Sequence, residues 1–483
     1  MYRRTELFID GGWVTPGTDA AIEIVSPHSE QVIGHSPAAA PADVDRAVAA
    51  ARTAFDRGPW PRLTPAERIE AVGRLAAVYK ERRGDMAELI SAEIGAPIAF
   101  AKRVQAQLPM MAMAAFTKVA GEYPWDELRP GLYGKDIRVA RQPVGVVAAV
   151  VPWNMPQFLI SGKVVPALLA GCTVVLKPAP ESALDALLFA EIVAAAELPP
   201  GVVNVVPGDR STGAHLVAHP GVDKVSFTGS TAAGRQVAMA CAEGLRQVTL
   251  ELGGKSAAIV LADADPAATA KAIRMASLAN SGQVCNALSR VLVPVSRTNE
   301  FVDALEAELA ELTVGDPSDP ATDLGPLVAR RQQERVRGYI EDGQQQGARL
   351  VVGGAELPDG VDRGWYVRPT LFADADNTMR IAREEIFGPV LTVIGYRDED
   401  QAVAIANDSD FGLAGSVWSD DAERALAVGS RIRTGTVGIN QGYTMDPFAP
   451  FGGVKGSGYG RELGPEGLDG YLETKSIAIA GDS

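Results

Sequence analysis

Cys285 stands in the run Asn280-Ser281-Gly282-Gln283-Val284-Cys285-Asn286, and 34 residues before it the chain reads Glu251-Leu252-Gly253-Gly254-Lys255-Ser256. A thiolate forms covalent adducts readily and a carboxylate can activate the water that later cleaves them, so these residue types fit covalent catalysis in two steps. A lone Cys in an Ala-rich chain is as a rule an inert packing residue. Here Gly282 and Asn286 interrupt the apolar pattern around it, as expected where backbone must approach a ligand closely. Asn154, in Pro152-Trp153-Asn154-Met155-Pro156, offers a side-chain amide on a stiff loop. A rigid donor of that kind can hold an oxyanion. Phe227-Thr228-Gly229-Ser230 followed by Gly234 reads as a strand turning tightly into a helix, whose free N–H groups and positive dipole end suit a pyrophosphate. The run is not GxGxxG, so an ordinary turn is the competing reading. Lys177, just past an apolar strand, can hydrogen-bond a ribose or simply be solvated.

The elements that must position these residues alternate. Val-rich runs over 144–151, 173–176, 202–206, 225–227 and 248–250 are separated by helical segments, which implies a parallel sheet covered on both faces. Such sheets bind ligands beyond the carboxyl ends of their strands. Those ends carry Pro152-Trp153-Asn154, Lys177-Pro178-Ala179, Pro207-Gly208 and Thr228-Gly229-Ser230. Upstream, 43–118 reads as a succession of helices, with Val44, Ala47, Val48 and Ala51 along one face and further amphipathic runs over 65–82 and 98–118. The alternation resumes with a strand over 256–261, a helix near 266–281 and a strand over 289–295, so a second α/β domain begins near Gly254. Segments 121–142 and 471–481 alternate like strands outside the main sheets. A terminal strand of that kind pairs with another chain or folds as a hairpin on its own subunit.

At 483 residues the chain exceeds one simple core and fits two or three domains. Its 47% hydrophobic and 22% charged residues are ordinary for a globular protein. The net charge of −15 comes from scattered acids with no basic patch, which argues against nucleic acid or an anionic membrane as partner. Cys172, Cys241 and Cys285 are odd in number and widely spaced, which argues for a reducing compartment rather than a disulfide framework. His28, His35, His215 and His219 share no ligand array with them, so no metal is expected. The first residues meet acids before any long apolar stretch and do not read as a signal peptide, so a cytoplasmic protein is expected.

Taken in order, Pro152-Trp153-Asn154, Leu176-Lys177-Pro178, Phe227-Thr228-Gly229-Ser230, Glu251-Leu252-Gly253-Gly254-Lys255-Ser256, Gly282-Gln283-Val284-Cys285, Glu384-Glu385-Ile386-Phe387-Gly388-Pro389 and Phe451-Gly452-Gly453-Val454-Lys455-Gly456-Ser457-Gly458 span nearly the whole chain. Together they make a sequence that resembles the aldehyde dehydrogenase superfamily. The resemblance implies an α/β fold with a Rossmann-type nucleotide-binding domain over 1–120 and 143–253, a catalytic domain over 254–456, and a small β oligomerisation segment over 121–142 and 471–483. It also implies a homodimer or homotetramer.

Carried over residue by residue, the resemblance makes Cys285 the nucleophile, Glu251 the general base, and Asn154 the oxyanion donor together with the Cys285 N–H. Pro152, Trp153, Lys177, Glu181, Gly208, Gly229, Ser230, Leu252, Glu385 and Phe387 would bind the cofactor. Within that set Lys177 and Glu385 would take the riboses, Ser230 the pyrophosphate and Phe387 the nicotinamide side. NAD-preferring relatives carry Glu three residues after the strand-end Lys, whereas here that position is Pro180 and the acid falls at Glu181. NAD is therefore expected over NADP, but by a narrower margin. The aldehyde tunnel would be lined by Met155, Phe158, Leu159, Gly162, Val284, Tyr443, Thr444, Met445 and Phe451. None of these is Arg or Lys, and Gly162 replaces a bulky aromatic, so a large hydrophobic aldehyde is expected: aromatic, terpenoid or medium-chain. The alternatives are a CoA-acylating semialdehyde dehydrogenase, which the presence of Glu251 disfavours, and a retired scaffold, which the joint retention of Cys285, Glu251, Asn154 and Lys177 disfavours.

Overall fold

Five buried apolar runs pair side by side in a computed structural model that describes residues 2–132, 135–443 and 445–479. They are Val146–Val150, Thr173–Lys177, Val203–Val205, Lys224–Thr228 and Gln247–Glu251, all parallel. Their spatial order places Val146–Val150 in the middle, with the next two strands on one side and the last two on the other. The chain thus reverses direction across the sheet between Val146–Val150 and Lys224–Thr228, and the crevice at such a switch point is where open α/β sheets take ligands. Register brings the strand ends level, with Val150 opposite both Lys177 and Phe227, and Thr228 opposite Glu251. Antiparallel strands complete the sheet, Leu7–Ile9 and Gly12–Val14 at one edge and Gly458–Tyr459 at the other.

Helices cover this sheet as their apolar stripes require. Pro41–Asp56 buries Val44, Ala47, Val48 and Ala51, and Pro65–Glu81 starts on a capping box in which the Thr64 hydroxyl accepts from the Glu67 N–H at 3.3 Å and the Glu67 carboxylate accepts from the Thr64 N–H at 2.7 Å. The expected helix over 98–118 is two pieces. A π-helical turn over Ala101–Gln105 precedes a separate helix, Leu108–Glu122, with Pro109 in its first turn. Proline is tolerated there and would break a continuous helix. The second piece runs to Glu122, so the first residues of the 121–142 segment are helical rather than extended.

Seven strands form a second sheet, in the order Arg349–Val352, Thr370–Ala373, Val390–Tyr396, Arg290–Pro294, Ala257–Val260, Ala414–Trp418 and Thr436–Ile439. All its pairings are parallel except that of Arg349–Val352 with its neighbour at the edge. The helix expected near 266–281 is Pro266–Leu278. It stops early because Asn280, Ser281 and Gly282 are all left-handed, with φ of 52°, 57° and 75°. Asp126–Pro130, Asp136–Pro143 and Leu472–Ala478 make a separate antiparallel sheet, with Leu128 66% and Ile477 38% exposed. Of the two extended segments, residues 133–134 and 480–483 lie outside the described residues.

Candidate active site

The loop that leaves Val146–Val150 carries Pro152, Trp153 and Asn154, and three contacts fix it. The Asn154 carbonyl accepts from the Gln105 side-chain amide and from the Asn280 side-chain amide, each at 3.0 Å, and its own Nδ2 donates to the Gln283 carbonyl at 3.0 Å. Gln105, fully buried, is the last residue of the π-helical turn. Asn154 is therefore tied to two other elements through its main chain and its side chain.

The loop that carries Cys285 is held as firmly. Gln283 accepts from the Val328 N–H at 3.0 Å and donates to the Asn280 carbonyl at 3.1 Å, while the Ser281 hydroxyl donates to Gly325 at 2.8 Å. Left-handed backbone at two non-glycine residues costs about 1–3 kcal/mol each. Gly282 is glycine for a second reason, since a Cβ there would lie 2.3 Å from the Gly388 carbonyl. Cys285 itself is half-buried. Desolvation and the Glu385 and Glu251 carboxylates push its thiol up to about 12, against the pull of the Cys285 and Asn286 N–H groups. Those two donors sit where a sulfur anion or an adjoining oxyanion would develop.

Glu251 ends its strand nearly inaccessible to solvent, and neither carboxylate oxygen has a hydrogen-bond partner in the protein. Burial, then the charge of Glu462, raises its pKa well above the usual carboxylate range, with Lys163 and Arg461 acting in the opposite direction. Glu462 is ion-paired with the fully buried Lys163. Gly452 leaves room for the base, because a Cβ there would come within 2.6 Å of Glu251 Oε1.

One cavity of about 200 Å³ gathers Asn154, Glu251 and Cys285. The sequence-expected Pro152, Trp153, Gly229, Ser230, Leu252, Glu385 and Phe387 line it as well, and so do Met155, Phe158, Leu159, Gly162, Val284, Met445 and Phe451. Tyr443 stacks on Phe451 at 6.2 Å, and Thr444 lies outside the described residues. Lys177, Glu181 and Gly208 are not on this wall. Lys177 is buried at its strand end, where desolvation lowers its pKa to about 8 while the Glu181 and Asp209 carboxylates raise it. Gly208 lets the chain pass Thr212, whose Oγ1 would be 2.3 Å from an added Cβ. Glu181 is ion-paired with Arg331.

The residues present fit a dinucleotide. Ser230 caps Thr231–Glu243, its hydroxyl accepting from the Ala233 N–H at 3.3 Å, and the first-turn N–H groups of a helix have no intrahelical partner. Gly253 keeps the floor bare, since a Cβ there would lie 2.3 Å from Glu385 Oε2. Glu385 is half-buried beside the Gly254 N–H, from which it accepts at 3.1 Å, and desolvation lifts its carboxyl to about 7. Phe387, left-handed at φ 62°, sets its ring edge-on to Trp153 at 5.5 Å.

Sequence reasoning missed Gln332, Arg335, Glu462 and Leu463, which also line the cavity. Gln332 and Arg335 are one helical turn apart on Arg330–Gln345, and that i, i+3 spacing was the available signal. Arg335 donates to the Glu385 carbonyl at 2.6 Å. Glu462 had no such signal, because its partner Lys163 lies 299 residues away.

The profile of the aldehyde dehydrogenase family matches residues 13–477. A geranial dehydrogenase from Castellaniella defragrans is 48% identical over 475 residues, covering 98% of both chains. A crystal structure of a Mycobacterium tuberculosis aldehyde dehydrogenase complexed with NAD+ superposes with a TM-score of 0.97 at 48% identity, covering 99% of each chain. A mutant of aldehyde dehydrogenase C from Pseudomonas syringae, complexed with NAD+ and octanal, gives 0.96 at 43% identity and covers 99% of this chain and 98% of that one. The chain belongs to the aldehyde dehydrogenase family. It is an NAD-dependent oxidoreductase of aldehydes. Among the described residues no helix is long and apolar enough to cross a membrane.

Proposed function

We propose that the protein oxidises a bulky or medium-chain hydrophobic aldehyde to its carboxylic acid through a covalent adduct on Cys285. The observation that carries this reading is the convergence of Cys285, Glu251 and Asn154 on one largely apolar cavity. The Cys285 thiolate, its proton given up to solvent, attacks the aldehyde carbonyl, forming a C–S bond while the C=O π pair moves onto oxygen as a thiohemiacetal oxyanion. The Asn154 side-chain amide and the Cys285 N–H hold that oxygen, an arrangement typically contributing about a hundredfold to a thousandfold in rate per donor. NAD, when bound, supplies the acceptor for the hydride that leaves this adduct. Lys177 and Glu385 hold its riboses, the Ser230 helix end its pyrophosphate, and Phe387 and Trp153 flank the nicotinamide side. Glu251 then takes a proton from the water that cleaves the Cys285 thioester, and its presence favours hydrolysis over transfer to CoA.

For the substrate, Met155, Phe158, Leu159, Val284, Met445 and Phe451 offer an apolar wall, and the cation that lines the same cavity, Arg335, donates to the Glu385 carbonyl. The names of the relatives point the same way: geranial, octanal, and the 3-succinoylsemialdehyde-pyridine of a Pseudomonas enzyme 42% identical to this chain. NADH production from geranial, octanal, benzaldehyde, acetaldehyde and succinic semialdehyde tests the reading. Preference for either of the last two overturns it.

Gly162 supplies a sharper check. An added Cβ there meets only Glu462 Oε2, at 3.8 Å, so the helix Pro156–Ala170 leaves open space on its cavity side. Gly162→Trp would fill that space and is expected to cost large aldehydes on the order of tenfold to a hundredfold in kcat/KM through overpacking. Acetaldehyde should be spared. An equal fall for every aldehyde would mean that the tail lies elsewhere.

The sheet under each strand group supports a nucleotide-binding unit over 1–120 and 143–253 and a catalytic unit over 254–456. Exposed Leu128, Ile137 and Ile477 on the third sheet support assembly through 121–142 and 471–483 into a dimer or tetramer. Three unpaired cysteines fit a cytoplasmic location.

A further inference from the structure

Amide side chains from two distant parts of the chain converge on Asn154. Its carbonyl accepts from Gln105 Nε2 and from Asn280 Nδ2, each at 3.0 Å, and these two donors match the two lone pairs of a carbonyl oxygen. Asn154 Nδ2 carries two hydrogens, and one of them goes to the Gln283 carbonyl at 3.0 Å. The other is left for the cavity that Asn154 lines. Asn280 and Gln283 belong to the loop that carries Cys285, so they set the separation between Asn154 and the Cys285 N–H. Gln105 comes from elsewhere. It lies 49 residues before Asn154, at the end of the π-helical turn Ala101–Gln105, where the Ala106 N–H donates to the Ala101 carbonyl at 3.0 Å. Single π turns of this kind recur at functional positions.

Gln105 is fully buried, and its Oε1 has no hydrogen-bond partner among the described residues. Leucine or methionine would fill the same space without leaving an acceptor bare, so packing alone does not account for a glutamine here. Nor does the need to satisfy the Asn154 carbonyl, because Asn280 already supplies a donor. What Gln105 adds is a second direction. A carbonyl bonded once can swing about that bond, whereas one bonded from two separate elements is fixed, and with it the residue that bears the side-chain amide.

We propose that Gln105 is a positioning residue for aldehyde oxidation: by holding the Asn154 carbonyl from outside the Cys285 loop, it keeps the remaining Asn154 N–H aimed at the thiohemiacetal oxygen. This rests on Asn154 being the oxyanion donor, as proposed above. Gln105 is not among the residues that line the cavity, so it touches neither substrate nor cofactor and acts through Asn154.

Two reagents that react differently with the Cys285 sulfur separate this role from a general structural one. p-Nitrophenyl acetate acylates the sulfur through a tetrahedral oxyanion and expels p-nitrophenolate, whereas iodoacetamide alkylates it by loss of iodide and forms no oxyanion. The burst of p-nitrophenolate and the rate of alkylation are measured for wild type, Gln105→Leu, Gln105→Met and Asn154→Ala. Asn154→Ala should slow acylation about a hundredfold to a thousandfold, the usual worth of one oxyanion donor, and leave alkylation within about twofold. Both Gln105 variants should slow acylation about tenfold to a hundredfold, as a donor that is present but loosely aimed would, with alkylation again within about twofold. With an aldehyde and NAD, kcat should fall while KM stays within a few-fold, because the neutral aldehyde has no charge for the donor to hold. Where Asn154→Ala slows acylation, three results overturn the role of Gln105 alone: both rates unchanged in its variants, both rates falling together, or neither variant folding. Undiminished acylation in Asn154→Ala overturns the oxyanion reading and this proposal with it.

Discussion

Replacing Cys285 by alanine is expected to abolish aldehyde oxidation, a loss on the order of 10⁴-fold or more, as removal of a covalent nucleophile ordinarily gives. NAD binding should survive, because the cleft's helix end, Glu385 and Lys177 are untouched. The other two thiols provide the control. Cys172 is fully buried, its sulfur 3.4 Å from the Tyr471 carbonyl, and desolvation pushes its thiol up to about 11. Cys241 is buried in Thr231–Glu243, away from the cavity lining. Alanine at either should leave kcat within a few-fold while lowering the melting temperature. A Cys241→Ala protein that is folded and inactive would refute the assignment of the nucleophile.

Glu251→Gln has the second largest expected effect, and it falls on a different step. Attack on the aldehyde needs the sulfur, whereas cleavage of the thioester needs an activated water, so the variant should release one burst of NADH and then stall. Steady-state turnover should drop about a hundredfold to ten-thousandfold, the usual share of a positioned general base. Mass spectrometry of the stalled protein should find the substrate's acyl mass on Cys285. Undiminished turnover with no acyl mass would remove Glu251 from the mechanism. The wild type should also show this base in its pH profile. A base acts when deprotonated, and burial, then the charge of Glu462, raises the pKa of Glu251, so kcat should rise with pH through that raised value and fall as pH drops through it. The Gln variant should lose that limb.

Much of the sheet was legible because parallel strands buried on both faces must be continuously apolar. Val146–Val150 and Thr173–Lys177 announce themselves in that way, and so do the residues at their ends. Interruptions inside the helices were harder to see. Pro109 marks the break after the π-helical turn, but nothing in a hydrophobic pattern says that Gln105 turns inward to bond Asn154. The early end of Pro266–Leu278 depends on left-handed backbone at Asn280 and Ser281, which local propensity does not dictate and the contacts of Gln283 and Ser281 enforce. Side chains that meet across the chain left no local trace. Lys163 with Glu462, and Glu181 with Arg331, are joined by tertiary packing alone.

Gly282 fits against the Gly388 carbonyl with no room for a methyl group, so the strand of chain carrying the nucleophile and the one carrying Phe387 are keyed to each other like two parts of one casting. The apolar wall is built elsewhere, on Pro156–Ala170 and on the stretch around Met445 and Phe451. An engineer who wished to retune chain length could randomise Phe158, Leu159, Gly162 and Met445 as a set and leave residues 279–286 as they stand. The reacting sulfur would keep its place while the accommodation for the substrate's tail was rebuilt around it.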